Sequence, residues 1–413
     1  MEGLLGYAQR ELDGWAEEFE AFQARFAHLF KRSEPRQQAA LYLRGLLGKA
    51  ERKNCWQLAE EVGEATVDPT QRLLFHAKWD ADAAQEVLQG FAVEEFGEED
   101  GIGVLDETGF VKQGDKSVGV ARQYTGTAGK VCNCQIGVFL AYVSSKGLVL
   151  LDRRLYLPEV WCQDKERREH GGVPESVVFH TKPELGEEML QHAWQAPAPV
   201  PMRWVTGDEV YGNSPTLRAS VSASGRWYVF AVSSNTPVWH ERPEVEEPVR
   251  DTGGRPQTKA RLAEGAPKPE EVAAIVKGWP ASDWERLTVA EGEKGPRTYD
   301  WARARVVEDR GGLPGDEVWL MARRSVSDPS GLAYYLSCAP ITTSLLKMAQ
   351  VAGSRYAVEQ CFEEAKGEAG IDQYEVRYWQ SWHRHITLAM MAHTWLAALR
   401  RKAEQKRGHQ YPL

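Results

Sequence analysis

Gly101-Ile-Gly-Val-Leu-Asp-Glu-Thr-Gly-Phe110 is the stretch on which the reading of this chain turns. A short apolar run, Ile102 to Leu105, has the length of a buried strand. It ends in a carboxylate, Asp106, and a turn is expected after it. The same construction recurs at Arg203-Trp-Val-Thr-Gly-Asp-Glu-Val-Tyr-Gly212, centred on Asp208. Taken singly, Asp106 reads equally as a turn residue and Asp208 as a helix N-cap. Two strand-end aspartates joined by a glutamate on a later helix are, however, the donor set of a two-metal phosphoryl-transfer site.

Working outward, residues 1 to about 98 read as a series of short helices. Trp15, Phe19, Phe22, Phe26 and Leu29 fall at three- and four-residue spacing, Gln37 to Leu47 repeats the pattern, and Asp68-Pro69 marks a helix start. Short helices with basic loops suit a DNA-docking module and equally a plain packing domain. From Gly101 the texture changes. Val131 to Val143 and Leu148 to Leu155 flank the turn Ser144-Ser-Lys-Gly147 and predict a hairpin. Pro183 to Trp194 reads as helix, Met202 to Val205 as strand, Pro215 to Ser222 as helix and Trp227 to Val232 as strand. Strand, hairpin, helix, strand, helix, strand is the order of an RNase H-like core, a mixed sheet flanked by helices.

Pro237 to Pro280 is polar, rich in Pro, Glu and Lys, and carries Gly253-Gly-Arg-Pro-Gln257; it reads as a loop or a mobile insertion. Trp284 to Val306, Glu317 to Ser325 and Ala333 to Cys338 are strand-like again, Leu345 to Val351 is a short helix, and about Ser354 to Lys402 is helical with a break near Gly370. The expected fold class is therefore α/β: an RNase H-like catalytic core with an N-terminal helical domain and a β-rich insertion domain. The expected divisions are 1–99 (helical, DNA-binding), 100–235 (first part of the core), 236–345 (β-rich insertion with a mobile loop), 346–395 (second, helical part of the core) and 396–413 (basic tail).

Composition narrows the function. With 413 residues, 42% hydrophobic and 26% charged, the chain is of ordinary globular make-up and long enough for two or three domains. No apolar run approaches the roughly 20 residues of a membrane span, and no secretory leader is read at the N-terminus. Six scattered cysteines fit reduced thiols of a cytoplasmic protein rather than a disulfide framework. The net charge of −9 speaks against nucleic acid as a partner, but its distribution does not. Lys31 to Arg36, Arg44 to Lys53 and Arg400 to Arg407 are basic, and local patches set the field that a phosphate backbone meets.

The third informative stretch is Gly353-Ser-Arg-Tyr-Ala-Val-Glu-Gln-Cys-Phe-Glu-Glu-Ala-Lys366. At about 100° per residue, Arg355, Glu359, Phe362 and Lys366 fall in one stripe of a helix, with Val358, Ala365 and Ala369 beside it as the packing face. Glu359 then lies between two cations. Glu363, one turn on, is its rival, and Glu364 points to the far side toward solvent. An Arg–Glu–Lys surface ladder is the plain alternative.

These motifs together resemble a bacterial insertion-sequence transposase of the DDE superfamily, in the branch with a Tyr-Arg-Glu-Lys signature, over roughly residues 100–395. Arg355, Glu359 and Lys366 keep the spacing of the signature; its leading Tyr falls at Ala352, a departure. Asp208, Tyr211 and Gly212 match the second motif. Asp372 to Arg377 and Trp382 to Ile386 belong to the likeness too. The resemblance implies catalysis by Asp106, Asp208 and Glu359 holding two Mg²⁺ ions, with Mn²⁺ as a substitute. It implies DNA contacts from Arg355, Lys366 and Tyr211, and an aromatic of the insertion domain that stacks on a flipped base, with Trp319 ahead of Trp301 and Trp284. Double-stranded DNA, both element ends and target, is the implied partner, and a homodimer the implied assembly on it. Two rivals stand beside this reading: a catalytically retired transposase kept as a DNA-binding or regulatory protein, and a glycosidase with paired carboxylates, which would need no metal. His383, His385 and His393, on a helix with Trp382 and Trp395, read as packing or phosphate contacts.

Overall fold

The computed structural model of the chain describes residues 14–247, 259–290, 295–328 and 330–407. Gly253 to Gln257, the centre of the expected loop, and the end of the basic tail lie outside the described residues. Two compact units are present. One comprises the chain up to Gly101, Asp106–Pro201 and the part from Tyr356 on; the other comprises Ile102–Leu105 and Met202–Arg355.

The first unit opens with helices α1 (described over residues 14–24), α2 (Ser33–Leu47), α3 (Cys55–Glu61), α4 (Asp68–Phe75) and α5 (Ala81–Phe96). Strand β1 (Gly101–Val111) follows, then β2 (Ala121–Thr125), β3 (Lys130–Ser144) and β4 (Gly147–Tyr156). Short helices α6 (Glu159–Cys162) and α7 (Lys165–Gly171) lead to α8 (Lys182–Gln195). Thr181 and Glu184 form a capping box at its start, which is why the helix begins there. β3 pairs antiparallel with β4 over its C-terminal part, as the hairpin predicted, and with β2 over its first residues, and β1 is its further neighbour.

The second unit carries β5 (Met202–Gly207), α9 (Glu209–Gly212), α10 (Pro215–Ala223) and β6 (Trp227–Val232). It continues with β7 (Pro237–Trp239), β8 (Val245–Glu246), β9 (Arg261–Leu262), β10 (Glu270–Glu271) and α11 (Val272–Lys277). It ends with β11 (Glu285–Ala290), β12 (Arg297–Asp309), β13 (Pro314–Ser325), β14 (Leu332–Ser337) and α12 (Leu345–Gly353). Its sheet runs β1–β5–β6–β14–β13–β12–β7–β10, with β11 also on β12. β5 and β6 are parallel across the helical crossover, and the strands from β14 outward are antiparallel. An antiparallel hairpin followed by parallel strands joined through helices is the RNase H-like order. Of the loop or insertion expected over Pro237 to Pro280, the described residues form β7 to β10 and α11, with Val238, Trp239, Val272, Ile275 and Val276 as buried anchors within the polar text.

The chain returns to the first unit with α13 (Arg355–Gly367) and α14 (Trp379–Arg407). From Ser381 to Trp395 every residue of α14 is buried, polar ones such as His383, Arg384 and His385 included, and several of these find hydrogen-bond partners inside. Its Trp395 meets Phe22 of α1, and its His385 meets Tyr42 of α2. The break near Gly370 is real; Gly370 has φ +60°, where a Cβ would also strike Lys53.

The α14 histidines are structural. His385 Nε2 donates to the Gly370 carbonyl at 3.2 Å, since a carbonyl can only accept, so its Nδ1 accepts from the Tyr42 hydroxyl at 2.8 Å. His383 Nδ1 donates to the Trp379 carbonyl at 2.9 Å. Burial first, aided at His383 by Arg153 and at His385 by Lys112, pushes both pKa values down to about 3. Both rings are thus neutral in the fold, whereas an unfolded histidine titrates near 6.5. Between these limits the unfolded chain binds more protons, so stability falls as pH drops below about 6.5. Asp152, held at about 2 against its burial by Arg154, His192 and Arg153, adds to the loss only below about pH 4. His192, raised by its bond to Asp152, gives its full stabilisation throughout this range. The thermal midpoint should therefore decline from pH 6.5 to 4.5, by up to about 1.4 kcal/mol of stability per pH unit for each histidine. A midpoint flat over that range contradicts the buried neutral pair.

Candidate active site

In the first unit the site is built on β1. Asp106 is the sixth of eleven residues in this strand, so the expectation that the strand ends there is corrected. Thr108, Phe110 and Lys112 continue the two-residue alternation, and each finds a partner. A Cβ on Gly109 would lie 1.9 Å from Thr125 Oγ1, so glycine lets the strand pass rather than turn. The membership of the strand changes at this point: Leu105 is counted with one unit and Asp106 with the other. Asp106 is half-buried, and its Oδ1 accepts the Glu107 N–H at 2.8 Å.

Alternation puts Asp106, Thr108 and Phe110 on one face of β1 and carries on to Lys112, one residue past its end. Lys366 of α13 donates from Nζ to Thr108 Oγ1 at 2.8 Å. Phe110 packs on Tyr374 with ring centres 5.5 Å apart. Lys112 donates to the Tyr374 carbonyl at 3.0 Å and sits 3.6 Å over its ring; burial brings its pKa down to about 8, against the pull of Asp372 and Glu375. Burial likewise lowers Lys366, with Asp372 and Glu363 working the other way. On the opposite face, Glu107 pairs with Lys182.

The sequence motif on α13 is one helix, as expected, with Val358, Cys361, Phe362 and Ala365 buried. Phe362 meets Phe139 of β3 at 5.4 Å. Glu359 is exposed, two turns and about 10 Å N-terminal to Lys366 along the helix. Glu363 is exposed as well. Glu364, expected in solvent, is half-buried: Arg400 pairs with it at 2.8 Å and His393 lies 3.7 Å away. Those partners outweigh its burial and hold its carboxyl at about 2. That engagement fits Glu364 for a structural role.

In the second unit, Asp208 follows β5 and caps α9, its Oδ1 accepting the Val210 N–H at 2.9 Å. The flanking glycines are packing requirements, since a Cβ on Gly212 would fall 1.8 Å from the Ala231 carbonyl and one on Gly207 3.2 Å from that of Leu105. Tyr211, expected to touch DNA, is fully buried here. Trp319, expected to stack on a base, is largely covered here. It is 8% exposed, and Arg303 and Arg305 lie 4.2 and 5.0 Å over its ring. Trp301 is buried, and Trp284 is covered by Arg324 at 4.1 Å. Arg355 is half-buried at the start of α13. Ala352, where the resemblance leads one to look for tyrosine, is buried on α12, the helix before α13.

Among the described residues no group of three or more His, Cys, Asp or Glu side chains is gathered closely enough to hold a metal. The donor chemistry of Asp106, Asp208 and Glu359 nevertheless fits a hard cation: all are carboxylates, and Mg²⁺ takes one or two of these together with waters and substrate phosphate oxygens. Thr108 and Lys112 were legible in principle from the alternation that starts at Asp106. Lys182 and Tyr374, distant in sequence, carried no such signal.

Residues 25–296 match the family model described as DDE superfamily endonuclease. This span contains Asp106 and Asp208 and stops short of α13. No curated protein matches. Among solved structures, the chain is similar to a piggyBac transposase in a cryo-EM synaptic complex with hairpin DNA, at 10% identity and a TM-score of 0.42, covering 92% of this chain and 68% of that one. It is also similar to the NurA nuclease of Sulfolobus solfataricus, at 8% identity and a TM-score of 0.27, covering 71% and 86%.

The Lys366–Thr108 bond is the tie between α13 and the Asp106 face of β1. Lys366→Met and Thr108→Val should each destabilise the fold by about 1–2 kcal/mol, and the double variant should lose about 1 kcal/mol less than their sum. Additive losses in a denaturant double-mutant cycle contradict the tie.

Proposed function

The chain belongs to the DDE superfamily endonuclease family, and from that premise we propose that it is a DNA transposase, which cleaves the ends of its insertion sequence and joins them to target DNA. The observation that carries this reading is that the matched span contains both aspartates, one on β1 and the other capping the helix after β5. Glu359 lies beyond that span and enters through α13, which Lys366 bonds to the Asp106 face of β1.

In this reading Asp106, Asp208 and Glu359 hold two Mg²⁺ ions, with Mn²⁺ able to replace them. Bound there, such ions supply a water of lowered pKa and charge to stabilise the leaving oxygen of an in-line displacement. The protein's own share is positioning. Backbone N–H groups fix one oxygen of each aspartate, so both carboxylates are oriented before substrate arrives. Thr108 and Lys366 hold the register of α13, and with it the height of Glu359 along β1. Arg355 and Lys366 place positive charge at either end of that helix, where phosphates near the scissile bond would be met. No covalent protein intermediate is needed, since water and then a 3′-hydroxyl are the nucleophiles. Duplex DNA is the substrate, and two copies of the chain serve two ends. No described helix is long and apolar enough to cross a membrane.

Asp106→Asn, Asp208→Asn and Glu359→Gln should each reduce Mg²⁺-dependent cleavage of the DNA flanking the chain's own gene by at least about 100-fold, because loss of a ligand exceeds loss of a ligand's support. Glu363→Gln should retain cleavage, which separates the two glutamates of α13. Cleavage that survives all three ligand substitutions overturns the assignment.

A further inference from the structure

The turn that carries Asp208 is held from inside the second unit by a buried ion pair that the proposed chemistry does not use. Glu308 of β12 is 0% exposed and Arg218 of α10 is 2% exposed. Arg218 Nε donates to Glu308 Oε1 at 2.9 Å. The Tyr228 hydroxyl of β6 donates to the same oxygen at 2.6 Å, and Arg310 Nε donates to Oε2 at 3.1 Å. Burial first, then the charge of Glu308, raises the Tyr228 pKa well above its usual value, which keeps this proton in place. Glu308 is itself fixed in the sheet, opposite Val238 of β7. Three donors from different parts of the unit therefore meet one carboxylate out of contact with water.

Arg218 has a second partner. Its Nη1 donates to the carbonyl of Gly212, the last residue of α9. The N–H of the same glycine donates to the Asp208 carbonyl at 2.8 Å. Hydrogen bonds thus run from the Asp208 backbone through Gly212 and Arg218 to Glu308. α9 is one turn of helix, Glu209–Gly212, and a single turn costs more to order than its own bonds return. Its direction, and that of the capping Asp208, has to come from outside it. On one side the support is exposed: Asn213 and Glu209 bond to Ser233, and Thr236 bonds to Asn213. Water competes for these bonds, whereas Gly212 and Arg218 are buried. A buried ion pair contributes little net stability compared with apolar side chains of the same volume. What apolar side chains cannot do is donate to the Gly212 carbonyl.

We propose that Arg218 and Glu308 are positioning residues for Asp208: through the Gly212 carbonyl they hold α9, and with it the direction of the carboxylate. Neither touches the reacting atoms. The work is divided over the fork of one guanidinium. Nε takes the Glu308 carboxylate while Nη1 takes the Gly212 carbonyl, and the single ammonium of a lysine lacks that fixed geometry. Glu308, anchored in β12, makes the insertion strands the fixed support against which the Asp208 turn is set. A group that supports a metal ligand from behind changes metal affinity by roughly 10–100-fold. The proposal deepens the reading of Asp208 as a metal ligand and rests on it.

The test is Mn²⁺ binding to the full chain with the duplex DNA that flanks its gene, beside the Mg²⁺ dependence of cleavage. Electron paramagnetic resonance of the free ion reads the binding, corrected for DNA alone. Arg218→Lys keeps a cation beside Glu308 but not the fork, and should raise the Mn²⁺ concentration at half-occupancy at least about tenfold. The Mg²⁺ concentration for half-maximal cleavage should rise by a similar factor. Tyr228→Phe removes another bond of Glu308 and leaves the Gly212 link intact. It should lower the thermal midpoint with Mn²⁺ binding unchanged. Equal loss of Mn²⁺ affinity in both variants would mean a structural role only and overturn the proposal; wild-type affinity in Arg218→Lys would overturn it too. Glu308→Gln, which keeps the size of the side chain, is read in the same way if Arg218→Lys does not fold. Asp208→Asn, measured alongside, separates the two claims. If it loses Mn²⁺ while Arg218→Lys binds normally, the positioning role fails and the ligand stands. If it binds Mn²⁺ as the wild type does, the ligand assignment fails, and the proposal with it.

Discussion

One constraint orders the first unit: the even-numbered face of β1. Asp106, Thr108, Phe110 and Lys112 share it because a strand repeats every two residues, and the first unit spends its C-terminal part covering it. Lys366 bonds to Thr108, Tyr374 stacks on Phe110, and Lys112 returns to the Tyr374 carbonyl and ring. A shift of one residue in β1 would move all four side chains to the other face at once. The strand neighbours of Asp106 thus hold the register of β1, and with it the face on which Asp106 stands.

The division of labour in α13 follows from the same constraint. Its buried residues, Val358, Cys361, Phe362 and Ala365, fix the rotation of the helix, and Lys366 fixes its height. Glu359 is exposed on a helix already held at both its face and its end. This separation lets a carboxylate be oriented without being buried, which would cost it its charge. Glu364 shows the other outcome on the same helix: half-buried, it is kept ionised only by Arg400, His393 and Gln360, and these make it a structural acid.

Much of this was legible in the residues. The hairpin of β3 and β4, the parallel β5–β6 pair and the single helix that bears Arg355, Glu359 and Lys366 all follow from periodicity and turn chemistry. Three features were not. The continuation of β1 past Asp106 was masked by Glu107, Thr108 and Gly109, polar and small residues whose strand character comes from the neighbours they pair with. The strands hidden in Pro237 to Pro280 are two or three residues long, too short to show alternation. The burial of Tyr211 and Trp319 depends on Gly212 and on guanidinium groups from β12, which local sequence does not bring together. Long-range packing, not propensity, decided each of these.

The central claim, that Asp106, Asp208 and Glu359 serve one pair of metal ions, is tested most directly by locating the ion. Fe²⁺ put in place of Mg²⁺ in the DNA-bound chain, with ascorbate and peroxide, produces hydroxyl radicals that cut the backbone beside the metal. The account predicts cuts at three places only, around residues 106, 208 and 359, suppressed by excess Mg²⁺. Cuts at none or only one of these places, or elsewhere with equal yield, would contradict it.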